Sequence, residues 1–445
     1  MATKTLLIAA MLLAAGCATA PIGVTDPGVR GGPAGAGRPL PGLTSDELAL
    51  FQAGLATFGE VDDVKGGLGP RFNLDSCAGC HAQPATGGSS PAANPEVAVA
   101  TKGGARNSIP SFITQNGPVR EVRFKFKADG TRDGGVHNLY TISGRSDAPG
   151  CVLAQPDFER EAGHDNLIFR IPTPVFGAGL IEAITDETIL ANLESERSSR
   201  SAMGILGRPN RHGPGRANTS GNDGSITRFG WKAQNKSLTI FAGEAYNVEQ
   251  GVTNELFPTE REEIVTCRFT GAPEDHSHFG AANPTDTLSD VTTFASFMRF
   301  LAPPEPAPET PASARGRIMF TEIGCSLCHT PSLTTGRSFS AALSEKPARL
   351  YSDLLLHRMG PALADDIIQG SAGPDEFRTA PLWGLGQRIF FLHDGRTNDL
   401  VEAIVAHASS GNFRFSASEA NAVVARFRHL EKAKKEDLLM FLRSL

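Results

Sequence analysis

Two short stretches hold the residue types that do chemistry: SCAGCHAQPATGG, with Cys77, Cys80 and His81, and GCSLCHT, with Cys325, Cys328 and His329. Each sets two thiols three positions apart and an imidazole directly after the second. Three chemistries use such thiols. A four-cysteine zinc site places its pairs about 15 to 20 residues apart, whereas Cys80 and Cys325 are separated by 245 positions. A thioredoxin-like dithiol leaves the histidine without a task. Covalent attachment of haem c uses all three residues, because the thiols add to the two vinyl groups and the imidazole rises to bind the iron. Two such motifs predict two covalently bound haems c.

The elements that must position these motifs recur in the same order. Ahead of each stands Gly-x-x-x-Phe, Gly54 with Phe58 and Gly316 with Phe320. At i and i+4 the pair shares a helix face, the glycine permitting close packing and the phenylalanine reaching toward the haem. Downstream come PVFGAG (Pro174 to Gly179) and PLWGLG (Pro381 to Gly386), each preceded a few residues back by Phe-Arg. A third register sets GWKAQNKSLTIFAGEA (Gly230 to Ala245) against LHDGRTNDLVEAIVAH (Leu392 to His407), with Trp231 opposite His393, Leu238 opposite Leu400 and Ala245 opposite His407. A coordinating side chain in the second copy thus faces an alanine in the first.

The reading is a mainly α protein of two haem lobes: 43–301, a Pro-rich linker at 302–313, and 314–445. Within the first lobe, REVRFKFKADGTRDGGVHNLYTISGR alternates polar and aromatic residues around Asp129-Gly130 and resumes with Val136, Leu139 and Ile142, which predicts an inserted β-hairpin. The end of the chain puts Leu438, Phe441 and Leu442 on one helical stripe.

The 445 residues are enough for at least two lobes. A net charge of -6 without a long basic run lacks the footprint nucleic acid requires. The 48 Gly and 30 Pro suggest many turns and a core completed partly by bound cofactor. The amino terminus has one Lys and an apolar run from Leu6 to Ala15, too short to span a bilayer and shaped like an export signal. Ala14-Ala15-Gly16-Cys17 resembles a lipoprotein cleavage site with Leu13 one place early, so residues 1–17 read as a signal ending at a lipidated Cys17, with ordinary secretion as the alternative. Residues 18–42, rich in Gly and Pro, read as a flexible tether. Ala18 after the cysteine favours the outer membrane and a periplasmic body. Of the remaining cysteines, Cys151 and Cys267 form a disulfide in an oxidising compartment, or else are two unrelated buried thiols.

Taken together, FNLDSCAGCHAQP, RIPTPVFGAGLIEAI, RFGWKAQ, GVTNELFP, GCSLCHTP, YSDLLLHRMGPALAD, FRTAPLWGLG and FLHDGR resemble the bacterial di-haem cytochrome c peroxidase superfamily. The match is nearest to its exported di-haem oxidoreductase branch and covers almost everything after residue 43. The resemblance implies two cytochrome-c-like haem lobes, with electrons entering at one six-coordinate haem, crossing an intervening Trp matched by Trp231, and reducing peroxide at the other haem. It implies a small soluble donor, a cytochrome or cupredoxin, with hydrogen peroxide or a similar oxidant as substrate, and membrane contact only through the lipid. A further cofactor, calcium between the lobes, is left open by the sequence.

His81 and His329 are the expected proximal ligands. His407 stands where the superfamily carries a Met ligand, and imidazole there lowers the haem potential; Met359 and His357 are its rivals. At the first haem the register offers only Ala245, an open iron, unless His137 closes it. Moving a proton between the peroxide oxygens needs a carboxylate. The resemblance points to the segment after Trp231, where Glu249 comes nearest, with Glu244, Gln250 and Glu182 as neighbours or alternatives. The rival readings are an electron carrier with both irons six-coordinate, and oxidation of thiols or a partner protein.

Overall fold

The computed structural model describes residues 23–72, 74–132, 145–211, 225–262 and 264–445. The export signal, Cys17 and His137 lie outside these residues. Among them the chain forms thirteen α-helices. In order these are α1 (Ser45–Phe58), α2 (Cys77–Cys80), α3 (Glu96–Lys102), α4 (Phe158–Gly163), α5 (Ala178–Ala183), α6 (Asp186–Ser195), α7 (Arg197–Ala202), α8 (Leu238–Glu249), α9 (Asp290–Phe300), α10 (Pro311–Glu322), α11 (Leu400–Ala406), α12 (Asn421–His429) and α13 (Lys432–Ser444). Four two-stranded antiparallel sheets complete the secondary structure. The fold is mainly α with a few small sheets.

Local chemistry starts the helices that matter. Thr44 caps α1 and exchanges hydrogen bonds with Glu47, and Thr310 does the same with Ser313 at α10, where Pro311 occupies the first turn. Ser237 caps α8 and Asp399 caps α11. The α1/α9 and α10/α13 pairs then pack through glycine in the same way. A Cβ on Gly54 would lie 2.2 Å from the Thr293 carbonyl oxygen of α9, and one on Gly316 would lie 2.0 Å from that of Asp437 on α13. Only glycine allows backbones so near. One turn on, the Phe58 ring lies 5.8 Å from that of His81, and the Phe320 ring 6.4 Å from that of His329.

The aromatic-glycine loops repeat a second contact. A Cβ on Gly179 would meet the Arg299 carbonyl at 1.9 Å, and one on Gly386 the Arg443 carbonyl at 2.2 Å. The two loops also touch: Trp383 covers Gly177, whose φ of +65° needs no side chain. One core gathers Phe51, Phe58, Phe176, Leu238, Phe294 and Phe297, and extends to Leu350, Leu354 and Trp383. A second gathers Phe320, Leu385, Phe391, Leu400, Phe427 and Phe441. The first core crosses residue 302 because the segment after GCSLCH returns to α5, where Gly336 N–H donates to the Ala183 carbonyl.

Two expectations differ from the fold, and a third falls partly outside the described residues. Residues 23–42 are laid along the body: Asp26 forms a buried ion pair with Arg443 at 2.5 Å, and backbone bonds join Arg30 to Gly386 and Leu40 to Phe300. A Gly- and Pro-rich stretch is free only when nothing fixes it, and here an internal charge partner does. The Pro-rich linker ends at Thr310, since Pro311–Ser313 form the first turn of α10. In the insertion, the strand β1 (Glu121–Phe124) pairs with β2 (Leu167–Arg170) in the register Glu121 to Arg170. The turn at Asp129-Gly130 closes with a Phe126 to Arg132 bridge, and the expected return strand lies outside the described residues. Cys151 and Cys267 are bridged and buried beside Val64 and Leu153.

Candidate functional site

The two Cys-x-x-Cys-His motifs each wall a cavity, the first of about 160 Å³ and the second of about 220 Å³. Their four cysteines are free thiols. Burial pushes Cys77 and Cys80 well above the ordinary thiol range and Cys325 to about 12. A redox dithiol needs the opposite shift, toward thiolate.

The histidines are set alike. His81 places Nδ1 2.9 Å from the Gly88 carbonyl oxygen, and His329 places Nδ1 2.9 Å from that of Tyr351. A carbonyl can only accept, so each Nδ1 carries the hydrogen and each Nε2 keeps its lone pair. Burial pushes both imidazoles down to about 4, so they are neutral at pH 7. This is how a metal-binding histidine is held by a second partner.

His407, which follows α11, repeats the pattern with Nδ1 2.7 Å from the Ala403 carbonyl, and it lines the cavity of His329. Met359 lines the same cavity. His357 does too, but both its nitrogens are taken: Nδ1 lies 2.8 Å from Glu419 and Nε2 3.0 Å from Asp353. Burial works against its charge, yet Cys328 and Asp353 hold it well above the usual histidine range. Both ring nitrogens of His357 are thus engaged by carboxylates.

At the first motif Ala245, the register counterpart of His407, lines the cavity. The shared register extends through both segments. Phe229 bridges Asn235 and Phe391 bridges Thr397, with Trp231 and His393 at corresponding points, after which α8 and α11 begin at Leu238 and Leu400.

Trp231 lines both cavities. Its Nε1 donates to the Ile171 carbonyl at 2.9 Å, and Ile171 N–H donates to the His393 carbonyl at 2.8 Å. The indole and the His393 ring lie 6.4 Å apart, nearly perpendicular. Phe377 stacks on His393 at 4.4 Å, and Lys232 sits over Phe377 at 4.1 Å. Asp365 pairs with both Lys232 at 2.9 Å and Arg170 at 2.6 Å, tying the walls of the two cavities together.

The cavities differ in charge. The second is apolar apart from its histidines, Thr379, Arg378 and Arg388. Arg378 donates only to the Gly230 and Thr379 carbonyls, and no described carboxylate pairs with Arg388; burial pushes both guanidinium groups down to about 10. Two buried cations without anionic partners suit a ligand that brings carboxylates, as haem does. The first cavity carries Glu96, Arg120, Glu121, Arg123, Arg170 and Glu249. Burial and the nearby Glu121 hold the Glu249 carboxyl well above the carboxylate range, with Arg123 acting against them. Glu96 Oε1, Arg170 Nε and Gln250 Nε2 are buried there without hydrogen-bond partners. The Cys-x-x-Cys-His donors of both cavities, the guanidinium groups of the second and the unsatisfied polar atoms of the first therefore fit haem.

Two other carboxylates fall elsewhere. Glu182 accepts from Leu238 N–H and pairs with Arg299 at 2.7 Å, so it joins helices and does not line the first cavity. Glu244 accepts a hydrogen bond from Asn235 and is likewise off that wall. Glu96, Glu121, Arg123, Arg378 and Arg388 were not among the residues singled out from sequence. A signal existed for one of them: the Phe-Arg that precedes each aromatic-glycine loop supplies Arg170 to the first cavity and Arg378 to the second. Among the described residues, no group of three His, Cys, Asp or Glu side chains is placed to hold an ion such as calcium, and no helix is long and apolar enough to cross a membrane.

A family model described as "Di-haem oxidoreductase, putative peroxidase" matches residues 159–445, which include Trp231, Glu249, the second Cys-x-x-Cys-His and His407. Among solved structures, a MauG-like protein associated with microbial copper homeostasis is 19% identical over 37% of this chain and 55% of its own, with a TM-score of 0.26. The diheme peroxidase BthA from Burkholderia thailandensis is 16% identical over 49% and 65%, with a TM-score of 0.29. Hydrazine synthase of Kuenenia stuttgartiensis is 18% identical over 37% and 56%, with a TM-score of 0.24. The chain thus spans between 55% and 65% of the length of these three structures. No curated protein matches it.

Proposed function

Because the chain belongs to the di-haem oxidoreductase family, we propose that it is an exported di-haem peroxidase of two cytochrome-c-like lobes. The observation that carries this reading is the placement of Trp231 on both cavities, one lined also by His407 and the other by Ala245. Cys77, Cys80 and His81 hold one haem c, and Cys325, Cys328 and His329 the other. Bound there, the haems supply redox chemistry and, at the first site, an iron position open to an oxidant. His407 is the sixth ligand of the second haem, with Met359 as its competitor. Trp231 bridges the two sites, so electrons from a small soluble donor enter at the second and leave at the first. Glu249, which lines the first cavity, moves a proton between the two peroxide oxygens.

The cellular setting is part of the same proposal. A disulfide between Cys151 and Cys267 suits an oxidising compartment, in keeping with an export signal and a lipidated Cys17 that keep the body in the periplasm at the outer membrane. Thiol oxidation gains no support from Cys77, Cys80 and Cys325, whose thiols are pushed up, away from thiolate.

Spin-state spectroscopy during stepwise reduction tests the reading. One low-spin and one ligand-accessible haem are expected, with hydrogen peroxide reoxidising the reduced protein. Two low-spin haems that bind neither cyanide nor carbon monoxide, even after half-reduction, would make the protein an electron carrier.

A further inference from the structure

Three arginines line the first cavity, and their hydrogen bonds separate them. Arg170 gives both terminal nitrogens to Gln369 at 2.7 Å and Asp365 at 2.6 Å. Arg120 gives Nε and one terminal nitrogen to the Asp394 and Gly395 carbonyls at 2.9 and 3.1 Å. Arg123 gives only Nε, to Glu121 at 3.1 Å. Its side chain is 11% exposed and Glu121's is 19%, so the pair is largely withdrawn from solvent. Neither terminal nitrogen of Arg123 meets another described side chain, and the cavity they border also receives Glu249.

On the reading of the first cavity as a peroxide site, we propose that Arg123 is a further catalytic residue, an anion-stabilising group that acts with Glu249. Breaking the O–O bond of hydrogen peroxide consumes two electrons and two protons and yields two waters. The electrons come from the soluble donor protein across Trp231. Glu249 shifts one proton from the inner oxygen to the outer one, and solvent supplies the protons that complete the waters. As the bond lengthens, negative charge gathers on the departing oxygen. A guanidinium whose terminal N–H groups meet no described side chain stabilises that charge through hydrogen bonds stronger than neutral ones. Glu121 is the positioning residue that fixes the guanidinium by its Nε and leaves the fork free. The second cavity offers no such pair, since Arg378 and Arg388 have no carboxylate beside them.

Anion affinity tests this apart from turnover. The full chain carrying both haems is titrated optically with fluoride in the ferric form and with carbon monoxide in the reduced form, for the wild type, Arg123→Gln and Arg123→Lys. Loss of one charge-assisted hydrogen bond is expected to weaken fluoride binding about tenfold or more in Arg123→Gln. Arg123→Lys should retain most of it, and carbon monoxide, which is neutral, should bind all three alike. Equal losses for fluoride and carbon monoxide would make Arg123 a packing residue and overturn the proposal. Unchanged fluoride affinity with a shifted midpoint potential would overturn it as well, by assigning Arg123 to a haem carboxylate. A wild type that binds neither ligand would remove the open-iron reading, and this proposal with it.

Discussion

A histidine whose Nδ1–H is given to a carbonyl has its other nitrogen committed to whatever lies on the far side of the ring. His81, His329 and His407 all make that arrangement, whereas His357 has spent both nitrogens on carboxylates. His407→Ala should therefore turn one low-spin haem high-spin in optical and EPR spectra. An unchanged spectrum would give the ligand role to Met359. Trp231→Phe keeps a ring in the wall but removes the Nε1 bond to Ile171 and the more easily oxidised indole. Slower transfer between the haems, with both still attached, is expected in a reduction transient; undiminished transfer would reduce Trp231 to packing. The Cys-x-x-Cys-His motifs and Trp231 were legible in the sequence because their chemistry depends on residue type and local spacing. Arg123 and Glu121 were not, because in REVRF they read as the polar half of a strand, and only the tertiary fold brings them to the cavity wall.

Glu96, also hidden from sequence reading, carries a pH dependence. It is 1% exposed, burial holds its carboxyl up at about 8, and Asn94 and Arg120 only partly offset that. The unfolded chain releases this proton near 4.5, so the group's contribution to stability is complete below 4.5 and is lost as pH rises through about 8. Melting temperature plotted against pH should fall more steeply between these values in the wild type than in Glu96→Gln. Parallel curves would show that the carboxyl ionises freely in the folded protein.

Among the elements, the α1/α9 and α10/α13 pairs show what the Gly-x-x-x-Phe repeat is for. The glycine brings two backbones together, and the phenylalanine one turn later meets the histidine of the motif. Gly316→Ala would drive a methyl to 2.0 Å from the Asp437 carbonyl oxygen, so α13 must move. A loss of about 1 to 3 kcal/mol is expected from overpacking, read in denaturant melts, with a perturbed His329 haem spectrum. A melt within a few tenths of a kcal/mol of wild type would mean that the helices part at little cost. The glycine spacing was readable because i and i+4 share a face whatever the tertiary fold. The partner of β1 was not, because β2 lies beyond a long intervening segment and alternation within a strand does not name the strand it pairs with.

At the scale of the molecule, distant ties close the structure. The Cys151 to Cys267 bridge spans 116 residues, and a crosslink of that length restricts the unfolded chain substantially. Replacing both cysteines by serine should cost about 2 to 5 kcal/mol, measured as a lower denaturant midpoint that matches the reduced wild type. An unaltered midpoint would leave the bridge without a stabilising role.

Residue types and their spacing by themselves determined the two attachment motifs, the duplicated order of glycine, aromatic and histidine, the mainly α class and the pairing of Trp231 with His393 and of Ala245 with His407. These depend on contacts within a turn or on comparison of one half of the chain with the other. Only the tertiary structure decided that His357 lies between two carboxylates, that Glu182 joins helices, that residues 23–42 lie against the body, and that carboxylates line one cavity and not its twin. Each of those depends on which distant side chain arrives within hydrogen-bonding reach. A linear pattern carries no record of that, because it is the packing of the whole chain that brings Asp26 to Arg443 and Arg123 to the cavity of Glu249.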